Sequence, residues 1–174
     1  MKSSTPDSSE RTRSAVGLRN WLLWFLLICA TSSTVVTPTQ FFNTISDYVL
    51  REESAFRWFA LFWGAWWFVI VKSWHAVEFA ILYWLTARLL PQFSRIPAAA
   101  VAPLTLLFVV GLAVFDEWRQ TFVPERGGTW IDVGIDSAGA TVTAIMWELR
   151  RRRGLIRPPF PLKPDNRSRE SPPA

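Results

Sequence analysis

The sequence predicts an all-α membrane protein with four transmembrane helices and an additional interfacial or re-entrant helix that is rich in tryptophan. Half of the 174 residues are hydrophobic, and they lie in long blocks. Eleven tryptophans and thirteen phenylalanines accompany a single histidine. The formal charge of +5 comes largely from basic residues beside the apolar blocks. This placement is typical of membrane-flanking charge, so we expect the lipid bilayer as a partner and no nucleic acid.

Four apolar segments reach or approach the length needed to cross a hydrocarbon core of about 30 Å. They cover residues 20–36, 74–90, 98–115 and 131–149. The first has an alternative interpretation as a cleaved signal peptide, because "CATSS" supplies small residues after a short apolar run. Neighbouring membrane helices can tolerate Pro103 inside the third. The fourth is rich in the small residues that let membrane helices approach closely.

Both ends of the chain differ in composition from this apolar region. Residues 1–19 are rich in serine and arginine without apolar periodicity, which predicts a disordered tail. Residues 151–174 are basic and then proline-rich and polar, which predicts a second disordered tail. Residues 20–150 therefore form the expected transmembrane domain.

Residues 55–71, "AFRWFALFWGAWWFVIV", complicate the number of spans. A single helix from 55 to 90 would be roughly 54 Å long and would exceed the bilayer core. We therefore expect a bend near Gly64 or around Lys72 and Ser73. The four tryptophans and Arg57 favour the membrane–water interface, which predicts an interfacial or re-entrant helix. A fifth span is the alternative.

The basic residues also predict orientation. Arginines precede the first span, flank the turn between the second and third, and follow the fourth. The positive-inside rule places these three groups in the cytoplasm, which requires an even number of spans. We therefore expect four spans, with both termini cytoplasmic.

In this topology the ionisable residues near the spans gather at the outer membrane face. His75 and Glu78 share one helix face, as do Asp116 and Gln120. A carboxylate inside a span costs roughly 2.5–3.5 kcal/mol unless it is paired or hydrated. We therefore expect these faces to converge, with Lys72, Arg119 or Arg126 neutralising the carboxylates. The candidate catalytic residues are His75, Glu78, Asp116 and Glu117, and the candidate substrate-binding residues are Lys72, Gln120, Arg126, Asp132 and Asp136.

Several interpretations of these residues remain open. His75 with Glu78 and Asp116 or Glu117 offers mixed nitrogen and oxygen ligands for a divalent metal, although the pattern is loose. The same groups could perform general acid–base chemistry on a lipid-linked or peptide substrate. Arg126 and Lys72 could instead hold an anionic head group. A salt-bridged structural clamp without chemistry is the fourth interpretation. No cofactor can be identified from the sequence.

Two stretches, "KSWHAVEFAIL" and "DEWRQTFVPERGGTWIDVGIDSAGA", resemble the VanZ-like membrane proteins. The signature is Lys-x-x-His-x-x-x-aromatic, then Asp-Glu-x-x-Gln-x-Phe-x-Pro-x-Arg, an Asp, and Asp/Asn-x-x-Gly. It matches Lys72, His75, Phe79, Asp116, Glu117, Gln120, Phe122, Pro124, Arg126, Asp132, Asp136 and Gly139, and Ser32 and Ser33 resemble serines at the end of the first span. Glu125 departs from the signature, because a glycine is usual there, and the tryptophan-rich segment is longer than expected.

The resemblance covers roughly residues 20–150 and implies an integral membrane protein of the cell envelope with a polar site. The family's named member is associated with low-level resistance to the glycopeptide teicoplanin. Two functions follow as expectations. One is binding or modification of an envelope component, such as a lipid-linked precursor or glycolipid. The other is a non-enzymatic membrane module that assists a partner protein, with the charges as clamps.

Overall fold

The computed structural model describes residues 8–33, 53–93, 96–124 and 126–156. These residues form four helices and no strand: α1 (Ser8–Ser33), α2 (Glu53–Phe93), α3 (Ala98–Gln120) and α4 (Trp130–Arg152). The predicted all-helical class is confirmed.

Three of these helices are long and apolar enough to cross a membrane by length and composition: Ser14–Ser33 within α1, Arg57–Phe93 within α2, and Ala98–Gln120. The fourth predicted span, in α4, is not among them. Asp132, Asp136 and several small or hydroxyl-bearing residues make α4 less apolar than α2 and α3. An arrangement of four transmembrane helices is therefore not confirmed.

The separate tryptophan-rich helix is also not confirmed. Residues 55–71 form the N-terminal part of α2, which continues without interruption through Gly64 and Lys72. No proline interrupts this stretch before Pro91, and Gly64 has open space around it. At 1.5 Å per residue, α2 is about 62 Å long. Its first half presents apolar side chains that are more than half exposed, among them Trp58, Leu61 and Phe68.

The helices α1 and α4 extend beyond the predicted spans. Helix α1 begins at Ser8, so it includes residues 8–19 of the predicted N-terminal tail. Extending an existing helix costs far less than nucleating one, and Gly17 lies against Leu89 of α2. Helix α4 continues to Arg152. Residues 157–174, which make up most of the predicted C-terminal tail, lie outside the described residues, as do 1–7.

Side-chain contacts define the direction of each helix. Helices α2 and α4 are parallel, because Ala76 lies against Gly139 and Trp84 lies against Trp147 further along both. Helices α1 and α3 run the opposite way. Trp21, in the middle of α1, donates to Thr86 near the end of α2, whereas Thr31, late in α1, contacts Glu78 nearer the middle of α2. Ser32, late in α1, contacts Asp116 late in α3.

The core between the helices is apolar along most of its length. It contains Ile28, Phe79, Leu82, Tyr83, Val101, Val109, Ala113, Ala140 and Trp147, among others. The buried polar residues include Ser32, Glu78, Asp116, Glu117, Gln120 and Asp136. The helix directions bring the ends of α1 and α3, the middle of α2 and the start of α4 to one end of the bundle, which we call the polar end.

Candidate functional site

Asp116 is the most heavily hydrogen-bonded carboxylate at the polar end. It is 1 % exposed. Its Oδ1 accepts from Arg119 at 2.8 Å and lies 2.9 Å from the Ser32 hydroxyl. Its Oδ2 accepts from the Gln120 side chain at 2.9 Å. Both oxygens of this buried carboxylate therefore accept hydrogen bonds, as is usual for buried acceptors.

Arg119 ties α3 to the C-terminal end of α1. Its guanidinium donates to Ser33 Oγ at 2.5 Å and to Ser32 Oγ at 2.7 Å. It also donates to the Cys29 carbonyl at 3.2 Å. The last carbonyls of a helix have no intrahelical partner and carry partial negative charge, so a guanidinium is stabilising there. We call Asp116, Arg119, Gln120 and Ser32 the clamp.

Glu117 is held by the loop that precedes α4. Its Oε1 accepts from Gln120 at 2.8 Å, and its Oε2 accepts from the backbone N–H of Thr129 at 2.9 Å. Thr129 is also the N-cap of α4, because its side chain accepts from the N–H of Asp132. Gly128 makes this approach possible, since a β-carbon there would lie 2.1 Å from the Glu117 carbonyl oxygen.

His75 and Glu78 form a second group on the facing side of α2. The Thr31 hydroxyl is 2.8 Å from Glu78 Oε1, and His75 Nδ1 is 3.3 Å from Glu78 Oε2. Glu78 is fully buried. The histidine contact lacks hydrogen-bond geometry, and among the described residues no hydrogen bond reaches Oε2.

Asp136, one turn into α4, is 2 % exposed. No described residue donates a hydrogen bond to its Oδ1. Its charged neighbours include His75, Glu117 and Asp116. A buried acceptor without a donor is costly. Asp136 Oδ1 has no donor among the described residues, and Glu78 Oε2 has only the His75 contact at 3.3 Å. We call His75, Glu78 and Asp136 the acceptor group.

The two cations expected to bind an anion have partners inside the protein. Lys72 forms an ion pair with Asp132 of α4 and lies 5.6 Å from the Phe68 ring centroid. Arg126 donates to the carbonyl of Ser32, near the end of α1. Its guanidinium is also 3.4 Å from the Thr31 carbonyl. Both cations therefore already have partners among the described residues.

All nine candidate residues therefore lie at the polar end. Asp116 and Gln120 belong to the clamp, and Glu117 accepts a hydrogen bond from Gln120. The acceptor group supplies His75, Glu78 and Asp136, with the Lys72–Asp132 ion pair and Arg126 beside it. Sequence reasoning missed the contact of Thr31 with Glu78, although the run of small hydroxyl residues "TSS" at the end of α1 marked the position. Within the described ranges, no three His, Cys, Asp or Glu side chains are grouped closely enough to hold a metal ion.

These features define a helical protein with membrane-compatible helices and a charged, largely buried cluster at one end. The VanZ/LLP1 family model matches residues 19–151, and the chain belongs to this family. The match includes every residue of the clamp and of the acceptor group. Comparison with curated proteins and with solved structures gives no match.

Proposed function

We propose that this VanZ-like protein binds or modifies a component of the bacterial cell envelope at its polar end, through His75, Glu78 and Asp136. The observation that supports this proposal is the pair of buried carboxylate oxygens, Glu78 Oε2 and Asp136 Oδ1, to which no described residue donates a hydrogen bond. In a purely structural cluster, buried acceptors are expected to be satisfied.

The clamp and the acceptor group differ in how completely hydrogen bonds satisfy their carboxylates. In the clamp, Asp116 is bonded through both oxygens to Arg119 and Gln120. Its role is to join α1 to α3 and to hold the acceptor group in place. The acceptor group retains capacity to accept hydrogen bonds, so it is the part of the site that contacts a ligand.

The chemistry of the acceptor group favours a ligand that offers hydrogen-bond donors. Sugar hydroxyls or amino groups of a glycolipid or lipid-linked precursor would satisfy Glu78 Oε2 and Asp136 Oδ1. His75 beside two carboxylates also has the composition of a proton-transfer site, which would support acid–base chemistry on that ligand. Glu117 and the clamp would act as positioning residues.

The membrane arrangement that suits this function has four spans, with α4 as the fourth and the polar end facing outward. Parallel α2 and α4 and oppositely directed α1 and α3 support an alternating topology. The two aspartates that make α4 less apolar lie in its first two turns, where they would be near the interface. Both termini would then be cytoplasmic, and residues 55–71 would lie along the outer interface.

A non-enzymatic module that assists a partner protein is the second candidate. The bonds from Arg119 to Asp116 and to both Ser32 and Ser33 favour it, because they join two helices without exposing a reactive group. Under this alternative, the buried charges fix helix packing, and substitutions change stability rather than binding.

The test compares Asp136→Asn and Glu78→Gln with Glu148→Gln, a carboxylate substitution at the opposite end of α4. The purified protein in detergent micelles is titrated with a lipid-linked peptidoglycan precursor or a glycolipid, and binding is measured by native mass spectrometry. We expect binding by the wild type and by Glu148→Gln, and at least about tenfold weaker binding by the other two, equivalent to about 1.4 kcal/mol. Equal binding by all four proteins, or loss that follows thermal stability alone, contradicts the proposal.

A further inference from the structure

A cleft opens between α2 and α4 at the end of the bundle opposite the polar end. It has a volume of about 540 Å³ and is lined by Trp84, Arg88, Trp147, Arg150, Leu155 and Ile156. The Trp84 and Trp147 rings meet edge to face with centroids 5.3 Å apart. The Arg150 guanidinium lies 5.7 Å from the Trp84 ring centroid, within the range of a cation–π contact.

The end of α4 builds one wall of this cleft. Gly154 has a φ of 70°. Its N–H donates to the Arg151 carbonyl, and the N–H of Leu155 donates to the Arg150 carbonyl. These two bonds form a Schellman motif, which requires a left-handed residue after the helix and is most readily supplied by glycine. The turn carries the chain back, so that Leu155 and Ile156 border the cleft and Ile156 packs against the core.

The charged residues that line the cleft are basic. Two arginines line it, and none of the described residues that line it is acidic. The nearby Glu148 instead bonds Arg151 and Arg152, and Glu148 and Arg152 line a different cleft, between α3 and α4. Arg88 and Arg150 therefore share one cleft without a carboxylate among its walls. Like charges placed together are unfavourable unless an anion lies between them.

We propose that this cleft binds the phosphate of an anionic phospholipid head group. Arginine pairs with phosphate through forked hydrogen bonds. Tryptophan favours the membrane interface, and basic pockets between transmembrane helices are suited to acidic lipid head groups. Trp84, Trp147 and Leu155 supply the apolar surface for the glycerol and upper acyl region. This site is separate from the polar end and independent of the function proposed there.

The experiment uses the full-length protein in a zwitterionic detergent, mixed with phosphatidylglycerol or with phosphatidylcholine. Retained lipid is counted by native mass spectrometry for the wild type, Arg88→Gln/Arg150→Gln and Arg151→Gln/Arg152→Gln. The two double variants lose the same charge at the same end of the bundle. We expect the wild type and Arg151→Gln/Arg152→Gln to prefer phosphatidylglycerol, and Arg88→Gln/Arg150→Gln to bind it at least about tenfold more weakly.

Three results overturn the proposal. Equal loss in both double variants shows only diffuse charge attraction, and equal retention of the two lipids shows no head-group recognition. Displacement of the lipid by millimolar inorganic phosphate shows a site for free phosphate rather than for lipid.

If Arg88→Gln/Arg150→Gln does not fold, Arg88→Gln alone replaces it. The exposed Arg88 side chain makes that substitution mild, and it should still weaken retention several-fold.

Discussion

Gly139 of α4 lies directly against the backbone of Ala76 in α2. A β-carbon at Gly139 would be 2.0 Å from the Ala76 carbonyl oxygen and 3.0 Å from its α-carbon. Ala76 follows His75 in sequence, and Gly139 lies one helical turn after Asp136. This contact therefore determines the distance between Asp136 of α4 and His75 of α2.

Replacing Gly139 with alanine should push α2 and α4 apart. The obstruction is backbone, which cannot rotate aside, so we expect a loss of about 1–3 kcal/mol in the free energy of unfolding, as for overpacked cores. Reversible unfolding in mixed detergent micelles, followed by circular dichroism, measures it. Gly134→Ala on the same helix is the control, because no atom lies within 4 Å of its added β-carbon. Equal effects of the two substitutions would contradict the role of the contact.

The second prediction concerns the ion pair in the clamp. Removing the Asp116 carboxylate with alanine leaves Arg119 among Ser32, Ser33 and the Cys29 carbonyl without its counter-charge. Breaking one side of a buried pair is strongly destabilising, and we expect a loss of about 3 kcal/mol. The double variant Asp116→Ala/Arg119→Ala should lose less than the sum of the single losses. Additive losses in the same unfolding assay would show that the two side chains do not act as a pair.

The third prediction tests Thr31. Thr31→Val keeps the shape of the side chain but removes the donor that lies 2.8 Å from Glu78 Oε1. A buried acceptor that loses its donor costs about 1–3 kcal/mol, so the free energy of unfolding should fall by that amount. Thr141→Val is the matched control, because Thr141 bonds only the Ser137 carbonyl of its own helix. A loss of similar size in both variants would show that the contact with Glu78 is not the cause of the lower stability.

Thr31 also illustrates how far the sequence predicts this site. Spacing of three or four residues placed His75 with Glu78 on one helix face, and the structure agrees. The same reasoning could not choose which residue would compensate each carboxylate, because that depends on how α1, α2 and α3 pack. Arg119 fills this role for Asp116, whereas Lys72 pairs with Asp132. Apolar composition similarly predicted the helices, but not that α2 would continue through residues 55–71.

The fourth prediction concerns orientation. Arginines near the ends of the spans predict that residues 121–130 face outward and that the chain after Arg153 faces the cytoplasm. Fusions of alkaline phosphatase and green fluorescent protein at these two places report the side of the membrane. Phosphatase activity is expected only for the 121–130 fusion, and fluorescence only for the C-terminal fusion. External activity from the C-terminal fusion would favour an odd number of spans.

The last prediction concerns the first half of α2. Its length of about 62 Å exceeds a hydrocarbon core of about 30 Å, and its exposed tryptophans suit the membrane–water interface. We therefore expect α2 to bend in the bilayer between residues 55–71 and 74–90, and spin labels at positions 58, 63 and 67 to report similar, shallow depths. A helix along the bilayer normal would instead separate positions 58 and 67 by about 14 Å in depth. Labels at 107 and 114 in α3, both exposed positions, calibrate the depth change expected for a spanning helix. A comparable progression from 58 to 67 would show that this segment crosses the membrane.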